Sequence, residues 1–386
     1  MATKKQTQHI QPKKTKQSKQ SAQTKQTSQS KKTSQTKSAS PTKKASQTKK
    51  TSQIKRTNQS RVPKRKRSYA RQNIGRIIAC VFIEVIVICA MVIMVGWNQG
   101  VKDWFAQFQQ PVLQEVDISG INSPNAILVQ SRGGKILGEI NSEERIYPAS
   151  MTKIMTVLVA IENLDDLESK ITLTNEMFAG LYEQNAMQAG FQPGEEVRAI
   201  DLLYGAMLPS GAECCIALAD TISGSEEAFA ELMNKKAARI GMRSTHFCDS
   251  TGLHDPEHYS TVKDMAALLK YAVKNDTFRE IIETSRHSTG ITNIHPDGIT
   301  YYSTMFKNLS DPTVTGGKIL GGKTGYTGEA GYCLASFAEI EGREYIFVTA
   351  GAVGADGNTI PHIQDAVTVY NRVGAAIQAK MNKSAA

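Results

Sequence analysis

The first 83 residues contain no aspartate or glutamate; the first acidic residue is Glu84. The same stretch holds 23 lysines and arginines. The net charge of +10 over 386 residues therefore describes neither half. From Trp97 onward there are 23 basic and 35 acidic residues, a balance of −12. Large apolar side chains are also nearly missing from residues 1–73, which are mostly Lys, Gln, Thr and Ser. Such a stretch cannot bury enough surface to offset the entropy of ordering, so residues 1–76 read as a basic disordered tail. A loose 12-residue repeat, Lys31 to Lys37 returning as Lys43 to Lys49, is too polar for a stacked solenoid. A tail of this charge would attract anionic lipid headgroups, with nucleic acid the weaker reading and a solvated segment without partners the plainest.

No C-x-x-C pair occurs among the six cysteines, which argues against zinc and thioredoxin-like chemistry. Cys214, Cys215 and Cys333 sit in apolar contexts, so buried thiols are expected there rather than disulfides. No His-Glu-x-x-His occurs either. His254-Asp255-Pro256-Glu257-His258 has a different spacing and carries a proline, so it reads as a surface loop or as structural histidines, and neither metal nor cofactor is expected.

What is present begins with residues 77–97, an apolar run of 21 residues interrupted only by Glu84. At 1.5 Å per residue it would cover about 30 Å, so a transmembrane helix is expected. Arg61, Lys64, Arg65, Lys66, Arg67, Arg71 and Arg76 precede it, and only Lys102 follows closely. By the positive-inside rule the tail would be cytoplasmic and residues 98–386 external, giving a single-pass membrane protein. No Ala-x-Ala cleavage site follows the run, which favours a retained anchor over a signal peptide.

Residues 98–121 read as a stalk, 122–380 as the catalytic domain and 381–386 as a short C-terminal tail. Within the domain, Ala126–Gln130 and Lys135–Ile140 flank a Gly-Gly turn, a hairpin pattern. Helical periodicity follows over Ser150–Leu164, Cys214–Thr221, Ser225–Arg239 and Thr261–Val273, and again from Pro361. Thr261-Val262-Lys263-Asp264 resembles a capping box. Three late strands are expected at Gly321–Thr324, Ala330–Glu339 and Arg343–Ala352. Two early and three late strands with helices between them imply an α+β fold on one five-stranded antiparallel sheet.

Three short elements carry chemistry. Ser150 and Lys153 in Pro148-Ala149-Ser150-Met151-Thr152-Lys153 share a helix face at i and i+3. That spacing sets a lysine amine beside a hydroxyl and makes the serine a candidate nucleophile. Ser210-Gly211-Ala212 breaks two apolar helical stretches and offers a second hydroxyl. Lys323-Thr324-Gly325-Tyr326 sits at a strand edge, where the lysine and threonine suit a carboxylate and the glycine lets a substrate backbone approach. Each alone also has an ordinary explanation: a helix start, a cap, a turn.

Together they resemble the serine D-alanyl-D-alanine carboxypeptidases, the low-molecular-weight penicillin-binding proteins. The likeness runs over about residues 122–375. It includes Tyr147–Thr156, Phe247–Asp249, Thr251–His254, Tyr259–Thr261, Gly322–Thr327 and Glu329–Leu334. The resemblance implies a β-lactamase/DD-transpeptidase-like fold. It also implies an acyl-enzyme on Ser150, Lys153 as its base and Ser210 as a proton relay. Lys323, Thr324, Gly325 and Tyr326 would bind substrate, with the N–H groups of Ser150 and Tyr326 as the oxyanion hole. The implied partners are peptidoglycan stem peptides ending in D-Ala-D-Ala, with β-lactams as inhibitors. The leading activity is carboxypeptidase; D,D-endopeptidase, β-lactamase and a weak wall-binding role are the alternatives. One departure stands out: the family has Asn where this chain has Ala212, so Glu213 or a nearby group is expected to compensate.

Overall fold

Ala126 and Leu128 point to one side of strand β1 (Asn125–Gln130), and Ile127 and Val129 to the other; both sets are buried, in two separate apolar clusters. The same division holds along the last strand, where Tyr345 and Phe347 join one cluster and Ile346 and Val348 the other. The central strands are thus covered on both faces. That is why they read as nearly unbroken apolar runs rather than as alternation. The structure, a computed structural model, describes residues 78, 80–91, 112–309, 311–354 and 360–385.

After β1 come β2 (Ile136–Ile140) and a 3-10 turn (Ala149–Thr152) that runs into helix α1 (Lys153–Asn163). A small pair of strands, β3 (Lys170–Thr172) and β4 (Glu196–Arg198), leads to α2 (Ala199–Met207), α3 (Ala212–Ser223), α4 (Glu226–Ile240), α5 (Val262–Ala272) and α6 (Asp276–Glu283). A second small pair follows, β5 (Arg286–Ser288) and β6 (Thr300–Tyr302), then α7 (Thr304–Asn308). The chain closes with β7 (Thr313–Val314), β8 (Gly317–Thr327), β9 (Gly331–Ile340), β10 (Arg343–Ala352) and α8 (Pro361–Ala385).

The main sheet is antiparallel, in the order β2-β1-β10-β9-β8-β7. The α+β layout stands, but the sheet has six strands rather than five. The extra one, β7, contributes two residues that pair Thr313 with Lys318 and Val314 with Gly317, too short a run for periodicity to reveal. Helices α1 to α6 build the core on one face. Helix α8 covers the other, through Ile363, Val369, Tyr370 and Val373. Leu113, Val116 and Ile118 pack into that second core as well, and Val116 N donates to Leu137 O at 2.8 Å. The end of the segment read as a stalk is therefore part of the domain's packing.

The transmembrane helix expected over 77–97 is corrected. Among the described residues no helix is long and apolar enough to cross a membrane. The single-pass placement and its orientation fall with it. The basic tail, 1–76, lies outside the described residues.

Local caps behave partly as expected. Ser225 Oγ accepts from Ala228 N at 3.2 Å and starts α4. Thr261 Oγ1 accepts from Asp264 N at 3.0 Å and starts α5. Asp264 does not complete the box: its carboxylate accepts from Ser244 N and from Thr245 Oγ1, both at 2.8 Å. That contact ties α5 to the loop after α4 instead.

Candidate active site

Ser150 lies in the 3-10 turn and Lys153 opens α1. Side chains three apart on a 3-10 turn eclipse one another, which is why these two meet. Lys153 Nζ donates to Ser150 Oγ at 3.1 Å and to Thr251 O at 2.6 Å. Lys153 is buried, while Ser150 is half-buried at the wall of a cleft of about 550 Å³. Ala212, Asn185, His254, Tyr326 and Glu329 line the same cleft.

The second pair lies deeper. Lys323 Nζ donates to Ser210 Oγ at 3.0 Å and to Thr324 O at 2.8 Å. Lys323 is wholly buried. Burial, with the nearby Lys153 charge adding to it, holds Lys323 well below the usual lysine range. An amine held this close to a hydroxyl can exchange a proton with it. Thr324 Oγ1 lies 2.7 Å from Thr304 Oγ1, at the start of α7.

β8 brings its end of the site past the first. It pairs with β9 from Gly317 to Thr327, but with β7 only at Gly317 and Lys318. Beyond that its outer edge runs beside the serine turn. A side chain at Gly325 would stand 3.1 Å from Ser150 N and 3.0 Å from Pro148 O, so glycine permits this approach. Ser150, Lys153, Ser210, Lys323, Thr324, Gly325 and Tyr326 are thereby brought into one region. Ser210 and Lys323 sit behind the cleft rather than on it, and Tyr326 is exposed at its mouth.

The family pattern described as Peptidase_S11, D-alanyl-D-alanine carboxypeptidase, matches residues 111–354. The chain belongs to this serine peptidase family. It is 36% identical over 230 residues to the D-alanyl-D-alanine carboxypeptidase DacF of Bacillus subtilis, covering 59% of this chain and 57% of that protein. It is 32% identical over 263 residues to the carboxypeptidase DacC of Escherichia coli, covering 62% of this chain and 59% of that one. The chain thus spans less than three-fifths of the length of either relative. The crystal structure of the Streptomyces K15 DD-transpeptidase superposes with a TM-score of 0.60 at 28% identity, over 68% of this chain and 100% of that one.

Several residues that build this site were not singled out by sequence reasoning. Thr251 enters through its carbonyl, the acceptor for Lys153. That carbonyl is set by Asp249, whose Oδ1 accepts from Thr251 N and Gly252 N, both at 2.6 Å. Burial works to raise the Asp249 pKa, but the His258 side chain and these backbone donors outweigh it and hold it below the ordinary value. His258 links Asp249 to the serine turn: Nδ1 lies 3.3 Å from Asp249 Oδ2 and Nε2 lies 2.8 Å from Thr152 Oγ1. The two histidines of the 254–258 segment therefore part company. His258 is buried under the serine turn, and His254 sits edge-on to Tyr147 with ring centroids 4.7 Å apart. The quoted segments around Asp249 and Thr251 were the available signal; it carried resemblance but no role.

Gly252 is a further requirement. Its φ is +77°, and a side chain there would meet Ala149 O at 1.9 Å and Thr152 Oγ1 at 2.7 Å. Gly252→Ala is expected to cost about 2 kcal/mol or more, from backbone strain together with this overlap. It should also displace the serine turn. Denaturant unfolding gives the first quantity and penicillin labelling the second.

Glu213 does not face the cleft. Its Oε1 accepts from Ala189 N at 2.6 Å and Gly190 N at 3.0 Å. Burial raises its pKa against the pull of those backbone donors. Glu213 thus anchors a loop and makes no direct replacement for the amide absent at Ala212.

Proposed function

We propose that this chain is a serine D-Ala-D-Ala carboxypeptidase, removing the terminal D-alanine of peptidoglycan stem peptides through an acyl-enzyme on Ser150. The observation that carries the reading is the doubled serine–lysine arrangement: Ser150 with Lys153 at 3.1 Å, and Ser210 with Lys323 at 3.0 Å, beside the open edge of β8. An extended peptide laid along that edge gains main-chain hydrogen bonds as an added strand, with its scissile carbonyl beside Ser150. The backbone N–H groups of Ser150 and Tyr326 serve as the oxyanion hole.

The chemistry is a two-step acyl transfer. Ser150 Oγ attacks the carbonyl carbon of the bond between the last two residues, and its proton passes to Lys153. The C–N bond then breaks. A proton delivered through Ser210 reaches the departing nitrogen, and D-alanine leaves. Water attacks the ester, its proton returns by the same lysine, and the shortened peptide is released. Thr324, held by Thr304, takes the substrate's terminal carboxylate, with Lys323 behind it. A β-lactam opened by Ser150 has no leaving group to depart and stays as the acyl-enzyme.

The test is mass spectrometry of the 112–385 domain mixed separately with penicillin and with a D-Ala-D-Ala tripeptide. A stable adduct on Ser150 and release of D-alanine are expected. Absence of both the adduct and D-alanine release would refute the reading.

A further inference from the structure

Five described non-glycine residues adopt left-handed backbone conformations: Asn141, Ala149, Asn185, Ser210 and Glu341. Asn141 lies just past β2, and Glu341 lies in the turn between β9 and β10. The other three lie at or close behind the cleft. Ala149 precedes Ser150, Ser210 holds Lys323, and Asn185 lines the cleft wall. Strained backbone gathers where the aim of a side chain matters to function. Asn tolerates the left-handed region better than most residues, yet glycine would occupy it at lower cost.

The loop carrying Asn185 is tied to the start of α3 by the two residues that follow Ser210-Gly211. Ala212 N donates to Met187 O at 2.8 Å, and Glu213 Oε1 receives Ala189 N and Gly190 N. The turn itself is closed by Asn185 N donating to Tyr182 O at 3.0 Å and Ala186 N donating to Leu181 O at 2.9 Å. The Asn185 side-chain amide makes no hydrogen bond to any described residue. The other amide on this wall, Gln184, is turned back: its Nε2 stands 3.2 Å from where a side chain of Gly180 would begin. Asn185 therefore presents a free amide to the cleft that also exposes Ser150 and Ala212.

We propose that Asn185 is a substrate-binding residue, whose Nδ2 donates to a backbone carbonyl of the acyl-donor peptide and supplies the contact Ala212 lacks. The proposal rests on reading the cleft as a peptide acyl-transfer site. Glu213 acts at one remove, by fixing the loop that carries the amide.

Asn185→Gly separates the two meanings of this residue. Glycine keeps the left-handed backbone and removes only the amide. If the amide binds substrate, kcat/KM for a D-Ala-D-Ala peptide falls about tenfold while the melting temperature holds or rises. Ala212→Asn placed in the Asn185→Gly background should recover about tenfold, yet change the wild type by less than about twofold. Turnover by Asn185→Gly within about twofold of wild type would overturn the proposal, as would an equal gain from Ala212→Asn in both backgrounds. Fluorescent penicillin on the wild type keeps the two readings apart. Absence of labelling sinks the acyl-transfer function itself, whereas normal labelling with an unimpaired Asn185→Gly sinks only the role of Asn185.

Discussion

Ser150→Ala is expected to end penicillin labelling and to lower D-alanine release by roughly 10⁴-fold or more, with the melting temperature within about 2 °C of wild type. The reasons are local. Ser150 is half-buried on the cleft wall, and its hydroxyl receives one hydrogen bond, from Lys153 Nζ at 3.1 Å. Removing it deletes the attacking atom but leaves Lys153 a second acceptor, Thr251 O at 2.6 Å. The 3-10 turn is held independently, by Met151 N donating to Pro148 O at 3.1 Å and by Thr152 against His258. Lys153→Ala should approach the same loss of activity by a different route, since the serine then has no group to accept its proton. Adduct mass and D-alanine release measure the activity, and differential scanning calorimetry measures the fold. An adduct persisting on another serine would remove Ser150 from the mechanism.

Lys323→Met should separate activity from stability. The lysine is wholly buried, and its pKa is pulled well down by burial and by the Lys153 charge. In the unfolded chain it would be protonated at neutral pH. Folding therefore either strips its proton or buries a charge, and both are costly. Because the folded pKa lies below the unfolded one, this cost is absent above the ordinary lysine value. It grows as pH falls from there toward the folded pKa. Methionine of similar length carries no such cost. The variant should melt higher than wild type at pH 7, by about 2–4 °C for each kcal/mol recovered, and the difference should shrink toward pH 10. Acylation should fall by about a hundredfold or more, since Ser210 loses its relay partner. A variant that melts lower at pH 7, or a gap that widens at high pH, would show that the Lys323 hydrogen bonds to Ser210 and Thr324 outweigh the cost of its burial.

How much of this was legible beforehand depended on the range of the interactions. Ser150 and Lys153 are three residues apart, so one turn of backbone brings them together and a local reading suffices. The central strands were equally plain, because burial on both faces leaves a long apolar run. β7 was missed because two residues leave no period, and β3 to β6 because three-residue strands leave barely one. The membrane helix failed for another reason. Composition measures how apolar a stretch is, whereas among the described residues no helix is both long and apolar enough to span.

The sequence by itself determined the family and the antiparallel sheet with helices packed on it, and it offered Ser150, Lys153, Ser210 and Lys323 as candidate site residues, because these rest on short motifs and on strand-scale patterning. Only the tertiary structure decided the partners. Lys323 meets Ser210 from 113 positions away, and Lys153 meets Thr251 from 98. Asp249 and His258 became part of the serine turn's support only when their loop was folded against it. Glu213, adjacent in sequence to the vacant second-motif position, turned out to hold a loop 23 and 24 residues away. Contacts of this range depend on the packing of whole elements, and local spacing does not encode which distant backbone groups that packing will bring within hydrogen-bond reach.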